Sequence, residues 1–339
     1  MINNLPLEIT LIFIAVLLQY LFLKYRLKIA NYFGLIDNPN KQKIHTKPTP
    51  LIGAFSSIIF FLIANFFILY QNFDKDLILI LLTSSTFFFI GLIDDHYNLE
   101  AYKKFFLTIL FLLIFLFYSE KLIITKLYSS FLDRHYNLGG LSVFFTVLCV
   151  LLLSNALNLA DGINGLASGI SSIWMFLITF YISKDYNNIY FLISILMIVN
   201  TYSIYQGKYF LGDSGSLFFG SAISLLLIFS YNQTIVEKAI PLEKIFIFFM
   251  VPGVDMFRLF LFRIAKKRNP FAGDLNHLHH YLLKIFNLPK VLIIYFSFML
   301  LPIFLDHFFS DISIYIICIY IIIYFTYIFF IKNKKKRQL

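Results

Sequence analysis

The chain has 339 residues, 60% of them hydrophobic and only 14% charged, with 43 Phe and 22 Tyr. A water-soluble domain of this composition would expose too much apolar surface, so the soluble globular classes are excluded. The net charge of +10 does not call for nucleic acid as a partner, because the basic residues gather beside apolar runs, where they anchor and orient membrane proteins.

A membrane-spanning helix needs roughly 20 apolar residues. Eleven stretches qualify: 5–23, 51–70, 77–93, 105–123, 140–157, 168–183, 189–205, 216–231, 242–262, 291–305 and 312–331. The expected fold class is an all-α polytopic membrane protein of about eleven transmembrane helices. Its connections are short, so the bundle is expected to be one domain, 1–339. The first apolar run lacks a basic start and a small-residue cleavage site, and reads as a retained span. Placing the N-terminus outside and the C-terminus inside puts most Lys and Arg on the inner face, including Lys24, Lys47, Lys104, Arg268 and Lys335. Cys149 and Cys318 are isolated in apolar spans and read as small hydrophobes.

With that orientation, five polar loops share the inner side: 34–53, 94–104, 155–168, 206–216 and 263–290. In the first, Pro48, Pro50 and Gly53 shape the approach to a helix start, where His45 and Lys47 can face an anion. A plain positive-inside anchor loop accounts for the same residues. At the end of the third span, Asp94 and Asp95 are adjacent carboxylates, which repel and resist desolvation unless a cation or proton compensates. Helix neighbours point about 100° apart, so one can face a site while the other is held by a structural partner. The outer segment 119–139 carries Glu120, Asp133, Arg134 and His135 and is assigned no chemistry.

After the fifth span, Asn155, Asn158 and Asp161 recur every three residues, followed by Gly162, Asn164 and Gly165. Amides and a carboxylate suit a nucleobase or sugar hydroxyls, and the glycines permit close backbone approach; hydrogen bonding between helices is the alternative. Gly212-Asp213-Ser214-Gly215-Ser216 can present Asp213 to Mg²⁺, which binds through one or two carboxylates plus substrate phosphates. In span nine, Asp255 and Arg258 beside Pro252 form an i, i+3 pair that a structural role explains at least as well as a site role. The last inner loop combines Lys267 and Arg268 with His277, His279 and His280. Phosphate binding is favoured over metal, and His-Glu-x-x-His spacing is absent.

Carboxylates for Mg²⁺, basic groups for phosphates and amides for a nucleoside or sugar point to a diphosphate substrate from the inner side, with a second substrate from the bilayer. Such chemistry depends on positioning and charge neutralisation. The rival class is an ion-coupled transporter, which would hold its ion sites near the midplane, often in repeated halves; no internal repeat is visible here.

Asp94-Asp95, Asn155-x-x-Asn158-x-x-Asp161-Gly162, Gly212-Asp213-Ser214-Gly215-Ser216 and His277-Leu278-His279-His280 resemble the motifs of the polyprenyl-phosphate N-acetylaminosugar-1-phosphate transferases, from about His45 to His280. The resemblance implies transfer of an aminosugar 1-phosphate from a UDP-sugar to undecaprenyl phosphate, with release of UMP, at the cytoplasmic face of a bacterial inner membrane. Mg²⁺ is the implied cofactor, with Mn²⁺ as the substitute. It also implies roles by position: Asp94, Asp95 and Asp161 as catalytic residues, Asp213 and Asp94 for metal, and Lys47, His45, Asn155, Asn158, Asn164, Arg268, Asp274, His277, His279 and His280 for substrate. The segment Asn269-Pro270-Phe271 with Asp274 is similar to the branch that starts O-antigen, common antigen or teichoic acid. Asn164 stands where many members carry Asp. UDP-GlcNAc is the default donor, UDP-FucNAc, UDP-QuiNAc and UDP-MurNAc-pentapeptide being the alternatives. Direct attack by the lipid phosphate and a covalent phosphosugar on Asp94 or Asp95 both remain open, as does assembly into a homodimer.

Overall fold

Each of the eleven apolar stretches forms a helix in the computed structural model, which describes residues 5–39, 47–182, 186–233, 240–268 and 275–336. In chain order these are α1 (Leu5–Phe33), α2 (Phe55–Gln71), α3 (Lys75–Tyr97), α4 (Ala101–Leu116), α5 (Ser142–Ala160), α6 (Leu166–Ile178), α7 (Asn187–Tyr205), α8 (Gly212–Gln233), α9 (Leu242–Ala265), the short α10 (Leu278–Leu283), α11 (Leu288–Phe308) and α12 (Ser313–Lys336). Eight of the described helices, namely α1, α3, α5, α7, α8, α9, α11 and α12, are long and apolar enough to cross a membrane. The chain is a multi-pass membrane protein.

Boundaries shift where tertiary hydrogen bonds capture the backbone. The expected start of the second span at Leu51 moves to Phe55, because Leu51 N–H donates to Leu35 (2.9 Å) and Gly53 N–H to Phe210 (2.7 Å). A two-residue ladder pairs β1 (Ile36–Asp37) with β2 (Thr49–Pro50). The fourth span ends at Leu116 rather than residue 123. Beyond it, Ser119 donates to Asp76 (2.5 Å) and Lys121 pairs with the same carboxylate (3.2 Å), tying the chain to the first turn of α3. The segment expected as plain loop contains a hairpin, β3 (Lys126–Ser129) with β4 (Arg134–Asn137), in the register Lys126↔Asn137 to Ser129↔Arg134. Pro252 lies inside a continuous α9 rather than at a break.

The chain divides into two compact units. The first comprises α1–α8 and is built around α8, which is nearly enclosed. Small residues let neighbouring backbones approach α8, and its buried hydroxyls bond back to its own carbonyls, Ser221 to Leu217 and Ser224 to Gly220, both at 2.8 Å. The tightest approach is from α3: a Cβ on Gly91 would stand 2.5 Å from the Asp213 carbonyl and the Ser214 nitrogen. Gly91→Ala gains about 1 kcal/mol of helix propensity but must push α3 off the start of α8. The expected outcome is a lower melting temperature together with a loss of activity of tenfold or more, measured on the purified protein.

A buried polar cluster fixes the loop that leads into α8. Ser56 donates to Gln19 (2.8 Å), Gln19 to Tyr209 (2.9 Å) and Tyr209 to Asn200 (2.7 Å), linking α2, α1 and α7 to residue 209. The second unit comprises the β3–β4 hairpin and α9–α12. Ile247 and Met250 of α9 pack with Ile316, Ile317 and Tyr320 of α12. Glu243, in the first turn of α9, accepts from the Ser129 hydroxyl and from Ser130 N–H (3.1 Å), fastening the hairpin.

Candidate functional site

In the first unit, the ends of α3 and α5 and the starts of α4 and α8 bring four carboxylates and one ammonium together. An α-helix begins with N–H groups that no internal carbonyl can satisfy. In α8 these are met by side chains from elsewhere: Asp95 accepts from Asp213 N–H (2.8 Å) and Ser214 N–H (3.0 Å), and Asp161 accepts from Gly212 N–H (3.1 Å). Gly212 has φ +78° and its missing Cβ leaves room for the Asp95 carboxylate. Asp95 and Asp161 thus hold the N-terminus of α8, their oxygens accepting from N–H groups that have no partner within the helix.

Asp94 and Asp213 are turned to a different task. Lys104, from the first turn of α4, places its Nζ 2.6 Å from Asp94 and 2.8 Å from Asp213. Asp94 also accepts from Leu99 N–H (2.6 Å), and Asp213 from the Asn158 amide (2.5 Å), which donates to Ser216 as well (2.9 Å). The adjacent aspartates therefore divide as their helical spacing requires: Asp95 faces the α8 backbone and Asp94 faces a cation. Lys104 is the residue that sequence reasoning missed. Its only signal is a basic residue ten positions after Asp94 at the start of an apolar helix, which a positive-inside anchor explains equally well.

Desolvation, reinforced by the charges of Asp213 and Asp95, pushes the carboxyl of Asp161 up to about 8. For an acid raised from about 4 to about 8, the folded protein holds a proton that the unfolded chain has lost. Stability conferred at this position is present at acid pH and declines as pH rises between those values. In metal-free protein, Asp161→Asn should therefore stabilise more at pH 8.5 than at pH 5, read as the difference in melting temperature from the native chain.

The second unit carries the histidine turn. Asp255 of α9 receives His277 Nδ1 (2.8 Å), Arg258 (2.9 Å), Tyr324 of α12 (2.5 Å) and the Leu278 N–H that opens α10 (3.2 Å to each oxygen). Arg258 also donates to the Asn276 carbonyl (2.7 Å). The rings of His277 and His279 are stacked, 5.5 Å apart and 10° from parallel, and both are buried, with Nε2 unpaired among the described residues. Burial, with His280 and His277 as neighbours, holds His279 well below the usual imidazole value. The Asp255–Arg258 pair, read as structural or functional with equal ease from sequence, is the anchor of this turn.

The remaining expected residues have the following surroundings. Asn155 donates to Leu151 one turn back in its own helix (2.8 Å). Asn164, in the turn between α5 and α6, lies beside Gly207. Lys47 is exposed, two residues before β2, whose Pro50 carbonyl accepts from Phe210 N–H (2.8 Å). Arg268 is exposed after the end of α9. His45 and Asp274 fall outside the described residues.

Mg²⁺ needs few protein ligands, and hard oxygen ones. No three His, Cys, Asp or Glu among the described residues are arranged as a preformed metal cage. Asp94 and Asp213 nevertheless already converge on one positive atom, and this fits an ion that takes two carboxylates and completes its shell with phosphate and water. An added cation on Asp94 and Asp213 would also offset the repulsion between these carboxylates and an approaching diphosphate.

A model of glycosyl transferase family 4 matches residues 77–231, the segment that contains Asp94, Asp95, Lys104, Asn158, Asp161 and Asp213. The chain is 29% identical over 308 residues to a Bacillus subtilis protein named "probable undecaprenyl-phosphate N-acetylglucosaminyl 1-phosphate transferase", covering 87% of this chain and 83% of that one. It is 26% identical over 289 residues to the undecaprenyl-phosphate alpha-N-acetylglucosaminyl 1-phosphate transferase of Escherichia coli K12, covering 78% and 73%. The protein of the same name from Yersinia pestis is 26% identical over 294 residues, covering 83% and 78%.

Proposed function

We propose that this chain, matched over residues 77–231 by the model of glycosyl transferase family 4, transfers N-acetylglucosamine 1-phosphate from UDP-GlcNAc to undecaprenyl phosphate, the acceptor and sugar that the names of its relatives carry. A phosphate oxygen of the lipid forms a bond to the β-phosphorus of the donor, the bond from that phosphorus to the bridging oxygen breaks, and UMP leaves with that oxygen. The product is a lipid-linked diphosphate sugar, the first intermediate of an envelope polysaccharide. The observation that carries this reading is the convergence of Asp94 and Asp213, from two different helices, on one cation.

Mg²⁺ held by Asp94 and Asp213 would draw off the charge that develops on the phosphoryl oxygens. The chain's own part is positional. Asp95 and Asp161 fix the start of α8, and with it Asp213; Asn158 orients the Asp213 carboxylate; Lys104 offers an ammonium to phosphate once a metal occupies the carboxylates. His277, His279 and His280 would serve phosphate binding, with Lys47 and Arg268 as further cations. The basic bias of the loops supports eleven crossings of the cytoplasmic membrane, with the site on the inner side.

The test is UMP release by the purified protein with undecaprenyl phosphate, Mg²⁺ and UDP-GlcNAc, UDP-FucNAc or UDP-QuiNAc in parallel. Release that needs both lipid and metal establishes the transferase and identifies the donor. A folded protein that releases no UMP from any donor overturns the reading.

A further inference from the structure

We infer that a cavity at the outer end of the second unit holds the headgroup of a zwitterionic aminophospholipid, with its primary ammonium on Asp306 and its phosphate on Lys244. The cavity has a volume of about 160 Å³ and lies where α9 begins, α11 ends and α12 begins, against the turn of the β3–β4 hairpin. It is on the outer side in the orientation proposed above, and its chemistry does not depend on the transferase reading. A water needs about 10–15 Å³ of such space, so the cavity has room for an organic group.

Asp306 supplies the reason for a ligand. It is 1% exposed and lines the cavity. Its Oδ1 accepts from the Ser313 hydroxyl, whereas Oδ2 has no hydrogen-bond donor among the described residues. A buried acceptor in that state costs free energy until a donor reaches it. Lys244 Nζ stands 3.8 Å from Oδ2, close enough to attract it and too far to hydrogen-bond. The exposed Asp311 adds a second carboxylate to the lining. Two carboxylates and one ammonium, beside the apolar walls of Phe131, Pro241 and Ile314, match a ligand that joins a cation to an anion through a short hydrocarbon link.

The surroundings select a lipid as the source. Helices α9, α11 and α12 are each long and apolar enough to span the bilayer, so their ends stand at headgroup depth. Phe308, Phe309, Ile312 and Tyr315, which flank the lining residues in the chain, are exposed and offer apolar ground to acyl chains, with the aromatic enrichment of a membrane interface. A carboxylate only accepts, so Oδ2 calls for an N–H. Ethanolamine carries one; the choline nitrogen, bonded to four carbons, does not.

The experiment titrates the full-length protein, stripped of lipid in detergent, with short-chain phosphatidylethanolamine, phosphatidylcholine of the same chains, and glycerophosphoethanolamine. Binding is read by native mass spectrometry. Phosphatidylethanolamine should bind about tenfold more tightly than phosphatidylcholine, the scale of one hydrogen bond to a charged group. Asp306→Asn should abolish that preference. Asp311→Asn, at an exposed position that leaves folding untouched, should reduce it. Lys244→Gln should weaken both lipids together, by removing the partner of the phosphate. Glycerophosphoethanolamine, which has the headgroup without the chains, should bind far more weakly than phosphatidylethanolamine. Equal affinity for the two lipids overturns the inference, as does a preference that survives both aspartate variants. Tighter binding of phosphatidylethanolamine by Lys244→Gln overturns it in favour of a plain cation site. Glycerophosphoethanolamine that binds as tightly as the lipid overturns it in favour of a soluble ligand.

Discussion

Asp213→Asn should leave a folded bundle that has lost UMP release by roughly 10²–10³-fold, the scale of removing one preorganised electrostatic contact from a phosphoryl or acyl transfer site. The side chain is replaced by one of the same shape, and the backbone N–H of residue 213 keeps its bond to Asp95. What disappears is a negative charge 2.8 Å from the Lys104 ammonium, the charge proposed to share the metal with Asp94. Asp95→Asn is the contrasting variant. Its carboxylate accepts from two successive amides of α8, and an amide in its place would set an NH₂ group against one of those N–H donors. That variant should therefore lose melting temperature as well as activity. Measuring melting temperature and UMP release together separates the two roles. Equal destabilisation in both variants would count against the division of labour between the aspartates.

Lys104→Met should bind divalent metal more tightly than the native chain. The Lys104 ammonium lies within 2.8 Å of both Asp94 and Asp213, the position that a bridging cation would take, so metal and lysine compete for the same oxygens. Removing the ammonium leaves four carboxylates unbalanced, and stranding buried charge costs about 3–5 kcal/mol. In metal-free buffer the variant should accordingly melt at a lower temperature, and Mg²⁺ should recover more of that loss than it adds to the native protein. Titration with Mn²⁺, followed by the loss of its free-ion paramagnetic resonance signal, is expected to show a dissociation constant lower by tenfold or more. Transfer activity should still fall, because the ammonium freed by metal is proposed to meet phosphate. Unchanged or weaker Mn²⁺ binding in Lys104→Met would remove the two-carboxylate metal site from consideration.

Much of the site was legible because its residue types are expensive where they stand. Asp94-Asp95, Asn158, Asp161 and Asp213 interrupt apolar runs, and hydrocarbon or helix interiors do not keep such groups without a use. Lys104 and Asp255 carried no comparable signal. A lysine at a helix end is ordinary in a membrane protein, and an Asp–Arg pair at i, i+3 is self-explanatory within one helix. Asn155 shares the spacing of Asn158 and Asp161, but in the fold its amide donates to Leu151 within α5.

Composition and hydrophobic run length were sufficient to determine a helical membrane chain and the approximate position of every described helix but the short α10, because the cost of exposing or unpairing groups in lipid is local to each segment. The order of motifs likewise sufficed to point to the family. Helix ends were decided by tertiary contacts: Gly53 on Phe210 delays α2, and Asp76 holding Ser119 and Lys121 ends α4 early. The pairing of functional groups was also left to the fold. Which of two adjacent aspartates supports a backbone and which faces a cation depends on what packs against each side of α3, and that partner, the start of α8, is more than a hundred residues away. Spacing records the direction in which a side chain leaves its helix. Only the packed structure supplies the atom that it meets.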